Sequence, residues 1–92
     1  MCRNIRPLHN YDPPTTEDEV QAAALQFVRK ISGMNRPARA NEEAFDRAVW
    51  AVTDASSRLL HELVTTAPPR DRARERERAR ERSAVRFGPR TA

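Results

Sequence analysis

Two adjacent prolines, Pro68 and Pro69, divide this sequence into parts of different composition. Proline lacks a backbone N–H and breaks an α-helix, so no helix is expected to run through this pair. Most large apolar side chains precede the prolines, whereas arginine dominates the segment that follows them. The core is therefore expected from residues 1–67, which we interpret as a small helical domain, and residues 68–92 as a basic extension.

A first helix is predicted over residues 17–32. Thr16 and Glu19 have the spacing of a capping box, in which the hydroxyl and the carboxylate each accept a backbone N–H of the first turn. Gly33 suits the left-handed position that ends many helices. One face of this helix is apolar, and it comprises Val20, Ala24, Phe27, Val28 and Ile31.

A second, longer helix is predicted over about residues 42–65, with Asn41 as its N-cap. Its main apolar positions have the spacing of a coiled-coil seam, and they are Phe45, Val49, Val52, Leu59 and Leu63. A long helix that returns along a shorter one forms a helical hairpin. The predicted fold class is therefore all-α.

The first 14 residues are predicted to form an extended arm, because three prolines in this stretch oppose helix formation. Ile5, Leu8 and Tyr11 recur at every third position, which places them on one side of an extended chain with three residues per turn. We expect this apolar side of the arm to pack against the hairpin.

Arginine occupies every even position from Arg70 to Arg82, with aspartate, glutamate or alanine between. Arg, Glu and Ala favour helix, so we predict a solvated helix over about residues 70–86 with no apolar stripe. Residues 1–69 hold eight basic and nine acidic residues, a net charge of −1. Residues 70–92 hold nine basic and four acidic residues, a net charge of +5, so the basic character belongs to the extension.

The extension suggests a non-enzymatic binding protein whose arginines contact RNA or another anionic surface, such as an acidic protein. For the extension taken alone, we favour the interpretation of a merely solubilising helix, because glutamates are interleaved with the arginines and no aromatic residue lies among them. The candidate anion-binding residues are Arg70, Arg72, Arg74, Arg76, Arg78, Arg80, Arg82 and Arg86.

A second hypothesis is a protein–protein module, most simply a homodimer joined through the seam of the second helix or around Trp50. Trp50 falls about 140° from Phe45 at 100° per residue, so it lies off the buried stripe. Two interpretations remain open: the arm covers Trp50, which we favour, or Trp50 anchors a partner.

A third, remote hypothesis is thiol or metal chemistry at Cys2, with His9, Asp12 and His61 as the other conceivable ligands. No spacing typical of a metal site links these residues, so we expect no metal, cofactor or catalytic residue. A single cysteine favours a reducing cytoplasm. Neither a secretory signal nor a membrane span is expected from the sequence.

Several segments resemble a family of short bacterial proteins known as a domain of unknown function. They are MCRNI, AALQFVRKISG, ANEEAFDRAV and TTAPPRDR, and the resemblance extends from Met1 to about Phe87. It implies no activity, cofactor or catalytic residue. The opening residues belong to the family pattern, which implies that the arm is integral to the fold. The family carries fewer arginines in its tail, which implies that the dense Arg–Glu alternation is a local elaboration.

Overall fold

A computed structural model describes residues 5–87 and the side chains of residues 5–85. Three helices dominate it, as predicted, and two short strands join the arm to the extension. In chain order the elements are β1 (Tyr11–Asp12), α1 (Glu17–Ser32), a 3₁₀ turn (Arg39–Asn41), α2 (Glu42–Glu62), β2 (Arg70–Asp71) and α3 (Arg72–Phe87). Helix α2 ends three residues earlier than predicted, and α3 begins two residues later.

Helix α1 begins and ends at the predicted residues. The Thr16 hydroxyl accepts the Glu19 N–H at 3.3 Å, and the Glu19 carboxylate accepts the Thr16 N–H at 3.0 Å, so the capping box is complete. Gly33 has the left-handed φ of 72° and donates its N–H to the Arg29 carbonyl. Local sequence signals therefore determine both ends of α1.

Asn41 stands at the predicted N-cap position of α2, but its side chain caps nothing. A capping side chain requires an extended backbone at that residue. Asn41 has ψ of −3° because the preceding 3₁₀ turn already winds the chain into the helix. The predicted position is confirmed, and the predicted capping bond is wrong.

The core lies between antiparallel α1 and α2, and the helical hairpin is confirmed. Its buried apolar residues are Val20, Ala24, Val28, Phe45 and Val49. Thr53 is buried beside them and donates its hydroxyl to the Val49 carbonyl at 2.7 Å, which satisfies this polar group inside the helix.

The far ends of both predicted apolar faces are not buried. Leu59 and Leu63 of the α2 seam are 55% and 45% exposed. Helix α1 begins opposite Ser57, whose hydroxyl donates to the Glu17 carboxylate at 2.9 Å, so the last residues of the seam extend past the start of α1. At the other end of the hairpin, Phe27 and Ile31 are 43% and 67% exposed. Both apolar faces are therefore buried over only part of their length.

The arm packs against the hairpin, and the chain after α2 returns to it. The apolar arm residues Ile5, Leu8 and Tyr11 are half-buried. Strands β1 and β2 pair in parallel, with Tyr11 beside Arg70. Asn10, in the left-handed region that asparagine tolerates, donates its side-chain amide to the carbonyls of Ala67 and Pro68. The double proline is thereby attached to the arm. Within residues 5–87, no helix combines the length and the apolar character that crossing a membrane requires.

Candidate functional site

A cleft of about 440 Å³ lies between the arm and the first three turns of α3. Its α3 side is formed by residues that share one helical face, among them Glu75, Ala79 and Arg82. We call it the basic cleft because five arginines line it: Arg6, Arg70, Arg72, Arg76 and Arg82. The two carboxylates in its lining, Glu19 and Glu75, leave an excess of positive charge.

Arg72 holds α3 to the body of the protein. Two of its guanidinium nitrogens donate to the two Glu19 carboxylate oxygens at 2.8 and 3.0 Å, a bidentate ion pair. The same guanidinium donates to the carbonyls of Pro13 at 2.8 Å and Pro14 at 3.2 Å. Arg72 is thus the exception to the predicted solvated helix, and its contacts give it a structural role.

The Arg72–Glu19 pair is ionised over a wide pH range. The hydrogen bonds from Arg72, followed by the one from the Thr16 N–H, lower the pKa of Glu19 from 4.5 to about 2. The hydrogen bond to Glu19 in turn raises the pKa of Arg72. Glu19 therefore serves two elements at once, because it closes the capping box of α1 and binds the first residue of α3.

The Tyr11 ring lies beside both arginines that begin the extension. The guanidinium carbons of Arg72 and Arg70 are 5.4 and 5.7 Å from the ring centroid, within the range of cation–π contacts. The Arg70 N–H also donates to the Asn10 carbonyl at 2.7 Å. No aromatic residue lies among the arginines in sequence, but the fold places one from the arm next to them.

Apart from the half-buried Glu75, the rest of α3 is exposed up to Val85, as predicted. Asp71 caps this helix by accepting the Arg74 N–H at 2.9 Å. Arg78 and Glu75 form an exposed ion pair at 3.5 Å. Within residues 5–85, no carboxylate lies within salt-bridge distance of the remaining helix arginines, which are Arg74, Arg76, Arg80 and Arg82. The side chain of Arg86, also a predicted contact, lies outside the described residues.

Trp50 is 60% exposed, so the favoured interpretation that the arm covers it is wrong. The arm contacts the hairpin around Val20 and Leu60, where Leu8 lines a depression with them. Leu60 is about 15 Å along α2 from Trp50 at 1.5 Å per residue. The described part of the arm, from Ile5 onward, passes too close to the end of the hairpin to reach this side chain.

The residues considered for metal chemistry form no such site where the structure describes them. Among residues 5–85, no group of three or more His, Cys, Asp or Glu side chains is placed to hold a metal ion. His9 and His61 line the same shallow depression as Glu17 and Ser57. Cys2 lies outside the described residues.

Sequence reasoning missed Arg6 as a site residue and missed the anchoring function of Glu19. A signal for Arg6 existed, because it lies between Ile5 and Leu8 on an arm that was predicted to pack. The pairing of Glu19 with Arg72 joins residues 53 positions apart, and no local pattern indicates it.

In a comparison with protein families, the model of an uncharacterised conserved protein family, DUF2277, matches residues 1–78. The match includes the arm, the hairpin, the anchoring residues and the first turns of α3, and it ends before the position near Phe87 expected from the resemblance. No curated protein and no solved structure matches the chain.

Proposed function

The chain belongs to this uncharacterised conserved family, and we propose that it is a non-enzymatic protein that binds the phosphate backbone of RNA along the basic cleft and α3. The observation that supports the proposal most directly is the arginine content of the cleft. Arg72 neutralises Glu19, so the other four cleft arginines face one further carboxylate, Glu75, which pairs with Arg78 outside the cleft lining. Arginine suits phosphate because its planar guanidinium donates two parallel hydrogen bonds.

The attachment of α3 to the arm also supports binding. A disordered tail must lose conformational entropy when it binds, and this loss reduces affinity. Here the Asn10, Tyr11 and Glu19 contacts hold the start of α3, so Arg76 and Arg82 already line the cleft together with Arg6 of the arm. The binding surface is thus partly pre-formed and includes the arm, rather than the extension alone.

The family match is compatible with a site centred on this attachment. Four of the five cleft arginines fall within residues 1–78, and Arg82 lies beyond them. The later alternation of arginine and glutamate would then extend a site that the family region already contains.

We expect the arginines to contact the RNA backbone and not the bases, because the cleft offers positive charge but few groups that discriminate between bases. Backbone contacts position a protein on nucleic acid without reading its sequence. The single cysteine suits the reducing cytoplasm, which is the compartment we propose for this binding. An acidic protein would meet the same charges, so the experiment has to separate the two partners.

The test is fluorescence anisotropy with a labelled single-stranded RNA of about 20 nucleotides, titrated with the full chain at several salt concentrations. With about five phosphate contacts on single-stranded RNA, affinity should fall roughly 100-fold between 50 and 200 mM salt. The double variant Arg76→Gln/Arg82→Gln should bind more weakly, and the slope of log K against log salt should decrease in magnitude by about 1.4. Neither residue has a described contact that supports the core.

The matched control is Arg36→Gln/Arg47→Gln, which removes the same charge from exposed positions outside the cleft. It should retain most of the affinity. Equal losses in the two double variants would show that only net charge matters, which contradicts a site. Polyglutamate as competitor separates the partners: displacement of RNA by it at comparable charge concentration would favour an acidic protein instead.

A further inference from the structure

One side of the hairpin presents an apolar surface, which we call the apolar face. Each member lies three residues after a position that faces the other helix of the hairpin. Phe27, for example, lies three residues after Ala24, and Val52 lies three residues after Val49. Three residues rotate a helix position by about 300°, and the same rotation on two antiparallel helices leads to the same side of the pair. The face comprises Ala23, Phe27, Ile31, Ala48, Val52, Leu59 and Leu63, and none of them is charged.

The large side chains of this face are open to solvent. Ile31 and Leu59 are more than half exposed, at 67% and 55%. The described part of the arm crosses the end of the hairpin where α1 begins, because Leu8 lines a depression with Ser57 and His61 and also lines the basic cleft with Glu19. Helix α3 has no apolar stripe, and its described side chains are exposed apart from Arg72 and Glu75. No element described in this chain therefore covers the apolar face.

The dimensions of the chain agree with a missing layer. Its accessible surface is 7985 Å², whereas a compact monomer of 10.5 kDa has about 5,400 Å². Its radius of gyration is 16.6 Å, against about 12 Å for a compact domain of this length. The projecting α3 contributes to both differences. The excess over a compact monomer is larger than the roughly 800 Å² of surface that a stable interface takes from each partner.

We infer that the apolar face is a homodimer interface, at which two hairpins pack together as a four-helix assembly. An uncharged surface does not complement RNA or an acidic protein, so the occupant differs from the polyanion of the basic cleft. A second copy presents the same uncharged face, and a two-fold axis makes such a surface self-complementary. Packing two amphipathic helical hairpins encloses a core in the manner of four-helix bundles.

The interface also accounts for the small core of the single chain. Only five apolar side chains are buried among the described residues, and a core of this size gives marginal stability at this length. Burying Phe27, Ile31, Leu59 and Leu63 from two copies would add eight large side chains. The dimer then supplies the hydrophobic stabilisation that one hairpin lacks.

The test measures molar mass by sedimentation velocity from about 1 to 200 µM, a range that brackets typical micromolar dissociation constants. The full chain should approach twice 10.5 kDa. Leu59→Glu and Ile31→Glu should each weaken dimerisation at least about 100-fold, because each places an unpaired charge in the interface of both copies. Both positions are more than half exposed in the single chain, so the variants should stay helical by circular dichroism.

Trp50→Glu is the matched control, since Trp50 is 60% exposed on the same helix as Leu59 but lies on the other side of the hairpin. It should dimerise like the original chain. A monomeric original chain at the highest concentration would overturn the inference. So would equal dissociation in Trp50→Glu and Leu59→Glu. The RNA titration reports separately on the basic cleft, because neither variant changes a cleft residue.

Discussion

Helices α1 and α3 have the same length, 16 residues each, and are stabilised in different ways. Helix α1 has a complete capping box, a terminal glycine and a buried stripe of Val20, Ala24 and Val28. Helix α3 has one capping aspartate and no buried side chain among those described. Helix α1 is stabilised by tertiary packing, whereas α3 depends on intrinsic helix propensity and on contacts at its first residues.

This difference explains how a charged helix can be both ordered and available. An isolated helix of about 16 residues is marginal in water because its first turn is costly to form. Asp71 and Arg72 stabilise the first turn of α3, because Asp71 caps it and Arg72 binds Glu19. The remaining turns need no core contact, so their arginines are free to bind a partner.

The largest difference between the two helices is expected in the free energy of unfolding when a valine of each is replaced by alanine. Val28 is 3% exposed and Val85 is 85% exposed. Val28→Ala should lower the free energy of unfolding by about 2 kcal/mol, because it leaves a cavity between α1 and α2. Val85→Ala should change it by less than about 0.5 kcal/mol. Urea denaturation followed by circular dichroism measures both values, and similar losses in the two variants would contradict the comparison.

The next difference concerns the caps. Thr16 and Asp71 each accept the third backbone N–H of their helix. Thr16→Ala should cost about 1 kcal/mol of global stability, since α1 unfolds only with the core. Asp71→Ala should leave global stability nearly unchanged but increase amide hydrogen exchange along α3. Exchange measured by NMR or mass spectrometry separates the two outcomes, and protection of α3 that survived Asp71→Ala would show that the cap does not hold it.

A smaller, pH-dependent effect is expected at the contact between the two helices. Glu19 has its pKa lowered from 4.5 to about 2 in the folded chain. Its carboxylate therefore favours folding fully above about pH 4.5, and this contribution is lost as the pH falls towards 2. Glu19→Gln retains a capping side chain but removes the charge. The difference in stability between the original chain and this variant should be constant near neutral pH. It should shrink towards zero as the pH falls from 4.5 to 2.

Denaturation midpoints at several pH values measure that difference. Because the pair is about one-third exposed, solvent screens it and the effect should be modest. A gap that widened on acidification would be inconsistent with a lowered pKa.

Much of the hairpin could be predicted because its signals are local. The capping box at Thr16 and the left-handed Gly33 each depend on a few neighbouring residues, and both are confirmed. The exposure of Leu59 was not predicted, because it depends on where α1 starts relative to α2. A seam on one helix shows which side faces inward, but it does not show how far the partner helix extends.

The basic cleft was harder to predict for the same physical reason. The arginine alternation identified Arg76 and Arg82 as candidates, but their neighbour Arg6 is contributed by the arm. The attachment depends on Asn10 and its bonds to the chain 57 and 58 residues later. Long-range contacts of this kind have no periodicity, so a single sequence indicates the charges but not their arrangement.

The smallest effect on stability is expected when one of two glutamates of α3 is replaced by glutamine. The same two variants distinguish most sharply between RNA binding at the cleft and RNA binding along the rest of α3. Glu75 lines the cleft and pairs with Arg78, whereas Glu77 lies outside the cleft. Glu75→Gln and Glu77→Gln should each change stability by less than about 0.5 kcal/mol, because exposed ion pairs contribute little. Both raise the net charge equally, but Glu75→Gln should strengthen RNA binding several-fold more, since it removes a carboxylate that faces the cleft arginines. Equal gains in the anisotropy titration would mean that RNA senses only the total charge of α3, and the attachment of this helix to the arm would then have no part in binding.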